Sequence, residues 1–282
     1  MSMIITHGIM GAALQVSNGR NTSPLSQIAG IGAVIDLDAT LTASYAGTGQ
    51  TWSNIIASPA DAAAQTDYDM YRGSGSSATT DDPTFNGTAN DPAAYWSFDG
   101  GDYFSLISGT NTTFLNGLHK TTGGSPATII IAFKAPASYN VTGAFFATGT
   151  TSSAEGLEMR VTSSAVNQLI QRAGSTNGIS TPFTTTPSTS TIHLMAMAFD
   201  YGASSLKTAV DARSFTSKTL TLHTTSANAS STLKIGAAGA GGDLIASTTQ
   251  IFGFYAFNKM LSDSELSGVI DVLNSRHNRT YA

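Results

Sequence analysis

Acidic side chains at short spacing are the first candidates for chemistry in this sequence. Asp36 and Asp38, in IDLDA, are two residues apart, so both carboxylates would point to one face of a strand. Glu155 and Glu158, in AEGLEMRV, are three apart and would point to opposite faces. A retaining glycosidase needs two carboxyl groups about 5 Å apart. Asp36 and Asp38 are therefore the pair to test for glycan hydrolysis, although their segment is more typical of a structural strand.

A second acidic pair flanks the DGGD corner of YWSFDGGDYFSL, residues 95–106. Gly100 and Gly101 permit the positive φ angles of a tight hairpin, and the aspartates on either side can accept hydrogen bonds from its backbone amides. The alternative is a calcium site, which would need about six to eight oxygen ligands and therefore help from other loops. Calcium should then raise the melting temperature, and no other cofactor is predicted. The candidate calcium ligands are Asp99, Asp102 and Asp243.

Exposed aromatic rings would indicate a surface that stacks on sugars. Trp52 and Trp96 lie within strand-like segments, where a large ring usually fills the core. Tyr71 lies in a long polar segment, residues 57–92, and is the better candidate for a surface position. The predicted glycan-binding residues are Tyr71, Asp99 and Asp102.

Sequence motifs of other catalytic classes are missing. The five histidines are scattered, and none lies in an H-E-x-x-H motif. His193, on an apolar strand, is predicted to be a hydrogen-bonded core or edge residue. No G-x-S-x-G elbow joins a strand to a helix, and GAAGAGGD lacks the Lys-Ser/Thr of a phosphate-binding loop. We therefore predict no catalytic residues and no enzymatic activity.

The composition indicates a neutral, hydroxyl-rich surface around a true core. Charged residues make up 11% of the 282 residues, against about 25% in ordinary soluble domains, while 41% are hydrophobic. The net charge of −5 and the lack of a basic cluster argue against nucleic acid and anionic membranes as partners. Cysteine is absent, which excludes disulfides and thiolate zinc sites.

Targeting segments are not expected either. The first basic residue, Arg20, follows the apolar part of the N-terminal segment, whereas a secretory signal needs positive charge before it. No apolar run of about 18 residues occurs, so we expect no membrane insertion.

Strand-like segments separated by Gly, Ser, Thr and Pro dominate the chain. TIIIAF (128–133) and IFGFYAF (251–257) are apolar on both faces, which predicts central strands covered from both sides. Residues 1–28 lack clean periodicity and are interpreted as an N-terminal arm or anchoring segment. Residues 29–282 are interpreted as a single β-sandwich domain.

One helix is predicted near the end of the chain. Ser262 followed by Glu265 forms a capping box, and Leu261 with Leu266 forms the matching hydrophobic staple. Apolar residues then recur at helical spacing, so one face should be buried. These residues are Leu266, Val269, Ile270 and Leu273.

Several motifs occur together in an order that is similar to a known family. DLDATLTASYAGTGQTWSNI (36–55), DPTFNGTANDPAAYWSFDGGDYFSL (82–106) and IFGFYAFNKMLSDSELSGVIDVLNSRHN (251–278) resemble the opening, middle and ending of one domain type. That type is the laminin-G-like, concanavalin-A-like jelly roll of bacteriophage virion-associated proteins. The resemblance spans roughly Val34 to His277.

The resemblance implies an all-β, concanavalin-like jelly-roll β-sandwich with one short C-terminal amphipathic helix. It also implies a non-enzymatic accessory protein of a phage virion, either a head decoration or spike or a tail adhesin. Its expected partners are phage capsid or tail proteins and host surface glycans. We expect a homo-oligomer on the virion surface, made in the host cytoplasm. The alternatives are a stand-alone carbohydrate-binding module and, behind it, a glycan hydrolase.

Overall fold

The structure, a computed structural model, describes residues 27–62, 64–150, 154–239 and 241–282. All but the last two residues of the predicted arm, residues 1–28, lie outside the described residues. Ile28 is fully buried and packs in the apolar cluster beneath the C-terminal helix. The described part of the domain therefore includes Ile28.

The described residues form sixteen strands and two α-helices. The strands are β1 (Ala33–Asp38), β2 (Thr51–Trp52), β3 (Met70–Arg72), β4 (Thr84–Asn86), β5 (Tyr95–Ser97), β6 (Phe104–Leu106), β7 (Ala127–Lys134), β8 (Gly143–Ala147), β9 (Gly156–Val161), β10 (Asn167–Ala173), β11 (Thr176–Ser180), β12 (Ile192–Asp200), β13 (Ser205–Val210), β14 (Thr216–Lys218), β15 (Lys234–Ile235) and β16 (Gln250–Phe257). The helices are α1 (Thr113–Gly117) and α2 (Asp263–His277), and short 3₁₀ turns cover Ala29–Ile31 and Gln65–Tyr68.

The strands form two sheets that pack face to face. Sheet A has the order β14-β13-β12-β7-β16-β5-β4, and β1 also pairs with β16. Sheet B has the order β11-β10-β9-β8-β15-β6-β3-β2. The strand pairs in both sheets are antiparallel, and many neighbours are distant in the chain. This architecture is the predicted concanavalin-like jelly-roll β-sandwich.

The strands β7 and β16 lie together at the centre of sheet A and are buried on both faces. Ile129 and Ile131 belong to the core between the sheets, whereas Ile130 and Tyr255 belong to the cluster beneath α2. The structure thus confirms the prediction made from the two apolar runs.

Both tryptophans lie in the core between the sheets, as predicted. Trp52 and Trp96 are fully buried, and their ring centres are 5.7 Å apart. Their indole rings therefore report on folding and cannot stack on a ligand at the surface.

Helix α2 begins where the capping pattern predicts and covers the outer face of sheet A. The backbone amide of Glu265 donates to the Ser262 hydroxyl, and the Ser262 amide donates to the Glu265 carboxylate at 2.9 Å. Leu261 and Leu266 are both buried, as the staple requires. Among the described residues, no helix has the length and apolar character needed to cross a membrane.

Removal of the helix cap should have a measurable cost. We expect Ser262→Ala to lower the free energy of unfolding by about 1 kcal/mol, because backbone amides at the start of α2 lose their side-chain partner. Urea unfolding followed by tryptophan fluorescence measures the change. Ser275→Ala, at an exposed position in the same helix, is the control and should change stability little. Equal losses in the two variants would contradict a capping role.

The YWSFDGGDYFSL segment is not the predicted hairpin. β5 lies in sheet A and β6 in sheet B, so the DGGD corner carries the chain from one layer of the sandwich to the other. Gly100 has a φ of +100°, which favours glycine there, whereas Gly101 is not among the residues with positive φ. The prediction was wrong because two apolar runs around a glycine turn do not specify which sheet each run joins.

The long polar segment, residues 57–92, contains strands that its composition does not indicate. β3 and β4 both lie within it. Tyr68 and Met70 are fully buried, and the Phe85 ring centre lies 5.2 Å from that of Trp96. The segment is therefore attached to the body of the sandwich by its few apolar side chains.

Candidate functional site

Asp36 and Asp38, the predicted hydrolytic pair, lie in a buried network beneath α2. The Arg276 guanidinium binds both oxygens of Asp36, at 2.9 Å and 3.0 Å, and reaches Asp38 at 3.2 Å. Tyr255 donates its hydroxyl hydrogen to Asp38 at 2.9 Å, and His277 lies 3.3 Å from the same carboxylate. Both aspartates are 0% exposed. A glycan cannot reach this pair, so its role is to hold β1, β16 and α2 together.

The charges around Asp38 decide its protonation state. Burial alone would raise the pKa of Asp38, but the charges of His277 and Arg276 outweigh burial and hold that pKa well below its ordinary value. Asp38 is therefore ionised in the folded protein at neutral pH, with its charge balanced inside the network.

Asp99 and Asp102 accept hydrogen bonds from backbone amides of the DGGD corner, as predicted. The Asp99 amide donates to the Asp102 carboxylate at 2.7 Å, and the Gly101 amide donates to the Asp99 carboxylate at 2.8 Å. Asp102 is 3% exposed, and burial raises its pKa to about 6. Asp99 is exposed. The structural interpretation of this pair is supported, and glycan contact at Asp99 stays a prediction.

The predicted calcium ligands do not form a cluster. Across residues 27–282, apart from the undescribed positions, no group of three or more acidic or histidine side chains could hold a metal ion. Asp243 instead accepts a charged hydrogen bond from Arg160 at 2.9 Å. A site built from Asp99, Asp102 and Asp243 would require these loops to rearrange.

The outer face of sheet B carries a row of polar and apolar side chains, of which Tyr71 and Lys234 are partly exposed and the others are buried. In an antiparallel sheet, residues directly opposite one another point to the same face. The strand register therefore defines one row across six strands, from β3 to β10. Its residues are Tyr71, Ser105, Lys234, Ala147, Glu158 and Ile170.

One end of this row is a partly exposed surface, here termed the tyrosine patch and formed by Tyr71, Tyr103, Ser105 and Lys234. Tyr103 directly precedes β6 and alternates with the buried Phe104, so it lies on the same face as Ser105. The Lys234 Nζ lies 4.8 Å from the centre of the Tyr103 ring, a cation–π distance. Both tyrosines and Lys234 are partly exposed.

Two loops border the tyrosine patch. On one side, the Gly73 amide donates to the Tyr103 carbonyl at 2.8 Å, and the Tyr103 amide donates to the Asp81 carbonyl at 3.2 Å. On the other side is Gly241, which has a φ of +90°. The backbone there lies close to Tyr103, since a Cβ added at Gly241 would be 3.5 Å from the ring. The patch is thus flanked by the backbone of Gly73, Asp81 and Gly241.

Farther along the row is a charged cluster formed by Glu158, Arg160, Arg172 and Asp243. Glu158 is fully buried, and the Arg172 Nε and Nη2 groups both donate to its Oε2 atom. The Arg160 Nη1 lies 2.9 Å from Asp243 and 3.6 Å from Glu158. Burial raises the pKa of Glu158, and the charge of Arg172 opposes that rise. Each arginine here already binds a carboxylate.

His193 lines a separate cleft of about 600 Å³ beside β13 and β14. Its Nδ1 lies 2.7 Å from Asp211, and its Nε2 lies 3.0 Å from the Ser188 carbonyl and 3.3 Å from the Ser188 hydroxyl. Burial lowers the pKa of His193, but the Asp211 carboxylate and the Ser188 carbonyl raise that pKa above its ordinary value. The prediction of a hydrogen-bonded core or edge histidine is confirmed.

Sequence reasoning found Tyr71 but missed Tyr103 and Lys234. A signal was present, because STLKIGA places Lys234 between Leu233 and Ile235, which are both buried. Strict alternation of this kind puts the lysine on the solvent face of a strand. Tyr103 alternates with Phe104 in the same way.

Comparison with known proteins establishes a fold and no more. No family model matches the sequence, and no curated protein resembles it significantly. The fold is similar to Trypanosoma rangeli sialidase in complex with sialic acid, with a TM-score of 0.56 at 13% identity over 89% of this chain and 34% of that chain. It is also similar to the botulinum neurotoxin serotype D binding domain, with a TM-score of 0.52 at 10% identity over 84% of this chain and 51% of that chain.

A third structure superposes less well. Ruminococcus gnavus IT-sialidase CBM40 matches 62% of this chain and 95% of its own at 13% identity, with a TM-score of 0.42. The chain spans about a third of the length of the sialidase chain and about half of the toxin binding domain. The likenesses to the sialidase and the toxin binding domain support the β-sandwich fold alone, and the phage-virion role stays a prediction.

Proposed function

We propose that this chain is a non-enzymatic carbohydrate-binding protein that holds glycans at the tyrosine patch. The observation that carries the proposal is the pairing of two partly exposed tyrosines with a half-buried ammonium group on a face that no helix of the described residues covers. Tyrosine rings can pack on the apolar face of a sugar ring, and polar groups beside them fix its orientation. This combination of apolar surface with a few placed polar groups is typical of ligand sites.

The placement of carboxylates supports binding over hydrolysis. Asp36 and Asp38 are buried against Arg276, and Glu158 is buried against Arg172. A retaining glycosidase needs two carboxyl groups that both reach the sugar. In both of these groupings, an arginine and the surrounding core occupy the space that a sugar would need.

Loss of either tyrosine ring tests the proposal. We expect Tyr71→Ala and Tyr103→Ala each to weaken binding to the glycans selected on an array by about three- to tenfold, since one aromatic contact contributes about 0.5–1.5 kcal/mol. Isothermal titration measures the change. Tyr95→Ala is the control, because Tyr95 is partly exposed on the opposite sheet. Affinities unchanged in both patch variants would contradict the proposal.

A second candidate function is attachment to a phage particle, as a head decoration, spike or tail adhesin that displays the tyrosine patch. The sequence motifs that resemble phage virion domains favour it, and the neutral, hydroxyl-rich composition is compatible with it.

Such a protein should copurify with particles as a homo-oligomer. Deletion of residues 1–26 keeps the buried Ile28 and should leave a folded domain that no longer attaches. Full decoration by the truncated protein would contradict the anchoring role, and absence of the full chain from particles would contradict the virion role.

A further inference from the structure

The ammonium group of Lys234 lacks a polar partner among the described residues. Three of the other five lysines are bound: the ammonium groups lie 2.6 Å from Glu265 for Lys259, 2.6 Å from Asn228 for Lys120 and 2.7 Å from Thr184 for Lys218. Lys134 and Lys207, which also lack a polar partner among the described residues, both lie on sheet A. For Lys234, the described contact is with the face of the Tyr103 ring. The two arginines of the charged cluster are also bound to carboxylates. Lys234 is thus the cation on this face that is free to bind a ligand.

The tyrosine ring does not satisfy the ammonium by itself. A lysine ammonium has three donors, and a cation–π contact supplies about 0.5–2 kcal/mol without accepting a hydrogen bond. Burial lowers the pKa of Lys234, and Asp81 opposes the shift only through its charge, from beyond ion-pair distance. A half-buried cation in this position gains most from an anionic acceptor that approaches its exposed side from solvent.

We propose that the tyrosine patch selects acidic glycans, with the anionic group of the sugar bound to Lys234 and its ring packed on Tyr71 or Tyr103. This inference rests on the proposed carbohydrate-binding function and specifies the charge of the ligand. Register supports the geometry, because Lys234 is directly opposite Ser105, which is directly opposite Tyr71. Lys234 and Tyr71 are therefore two strands apart, at about 10 Å, whereas Tyr103 is the diagonal neighbour of Lys234 on the adjacent strand.

A purely structural role for Lys234 makes a different prediction. If the lysine only packs on Tyr103, its removal should change the melting temperature without changing the choice of ligand. The test must therefore compare sugars that differ in charge alone, on the same set of protein variants.

The experiment uses matched ligands and the full chain. Oligogalacturonate is compared with its methyl ester, and sulfated lactose with lactose, which separates carboxylate from sulfate. The variants are Lys234→Met, and Lys207→Met as a control that removes the same charge from an exposed position on sheet A. We expect the wild type to prefer an acidic member by about tenfold or more, since a hydrogen bond to a charged group contributes about 1.5–3 kcal/mol. Lys234→Met should abolish this preference and Lys207→Met should keep it.

The outcomes separate this inference from the proposed function. Raised salt should weaken binding of the acidic sugar and leave its neutral counterpart unchanged. If neutral and acidic sugars bind equally and Lys234→Met changes neither, acid selection is wrong while carbohydrate binding stands. If no sugar binds at all, both are wrong. Tryptophan fluorescence, which reports the buried Trp52 and Trp96, confirms that each variant is folded.

Discussion

Replacement of Arg276 by methionine is expected to lower the free energy of unfolding by about 3–5 kcal/mol. The substitution removes the guanidinium that binds Asp36 and Asp38 and leaves two carboxylates in a site that is 0% exposed. Methionine fills similar space, so the loss reports uncompensated charge rather than a cavity. Chemical denaturation followed by fluorescence of the buried tryptophans measures it.

A matched control is an arginine that pairs with an exposed carboxylate on the same helix. Arg213 pairs with Asp271 at 2.7 Å, but their side chains are 38% and 64% exposed. Arg213→Met should therefore change stability by no more than about 1 kcal/mol. If both variants lost a similar, small amount of unfolding free energy, Asp36 and Asp38 would be hydrated or protonated once Arg276 is removed. That result would contradict a buried network held by charge.

The pH dependence of the Arg276 effect has a definite sign. The native pKa of Asp38 is depressed, so its contribution to stability is complete above the unfolded pKa of about 3.9 and is lost as the pH falls below it. The difference between wild type and Arg276→Met should therefore narrow in acid. A difference that stays constant from neutral pH to about pH 2 would contradict an electrostatic origin.

The second large effect is expected at Arg172 on sheet B. Arg172→Met leaves Glu158 fully buried without the two donors that bind its Oε2 atom, and should lower the free energy of unfolding by about 3 kcal/mol or more. Without Arg172, burial acts unopposed by that charge and raises the pKa of Glu158 further. Protonation then removes the buried charge, so the loss should shrink as the pH falls through the raised pKa of Glu158 towards its ordinary value of 4.5.

A double variant separates charge from packing at this site. Glu158→Leu together with Arg172→Met removes both charges and should recover most of the stability lost in the single variant. Arg160→Met is the control, because the Arg160 and Asp243 side chains are 21% and 23% exposed and their pairing should contribute less. If the double variant were as unstable as Arg172→Met alone, the loss would be due to packing.

Local sequence patterns predicted those parts of the fold that depend on neighbouring residues. The capping box at Ser262 and the apolar runs of β7 and β16 act over a few residues, and the structure has each where the pattern predicts it. Short strands such as β3 and β4 were missed because pairing with distant strands, rather than their own residues, keeps them extended.

The candidate site was predicted less completely, since it depends on long-range register. The shared face of Asp36 and Asp38 was predictable from their spacing, but their partner Arg276 is 240 and 238 residues away in the chain. Nothing local to β1 indicates that a guanidinium covers these carboxylates. In the same way, Tyr71 and Lys234 are brought together only by the order of strands in sheet B.

The network beneath α2 also constrains how this chain can fold during synthesis. Asp38 leaves the ribosome well before Tyr255 and Arg276, which bind it and are 217 and 238 residues farther along. Closing so large a loop is entropically costly, and topologies dominated by such contacts fold slowly. We expect the nascent chain to gain its native stability only after β16 and α2 have been translated. Until then β1 lacks the strand with which it pairs.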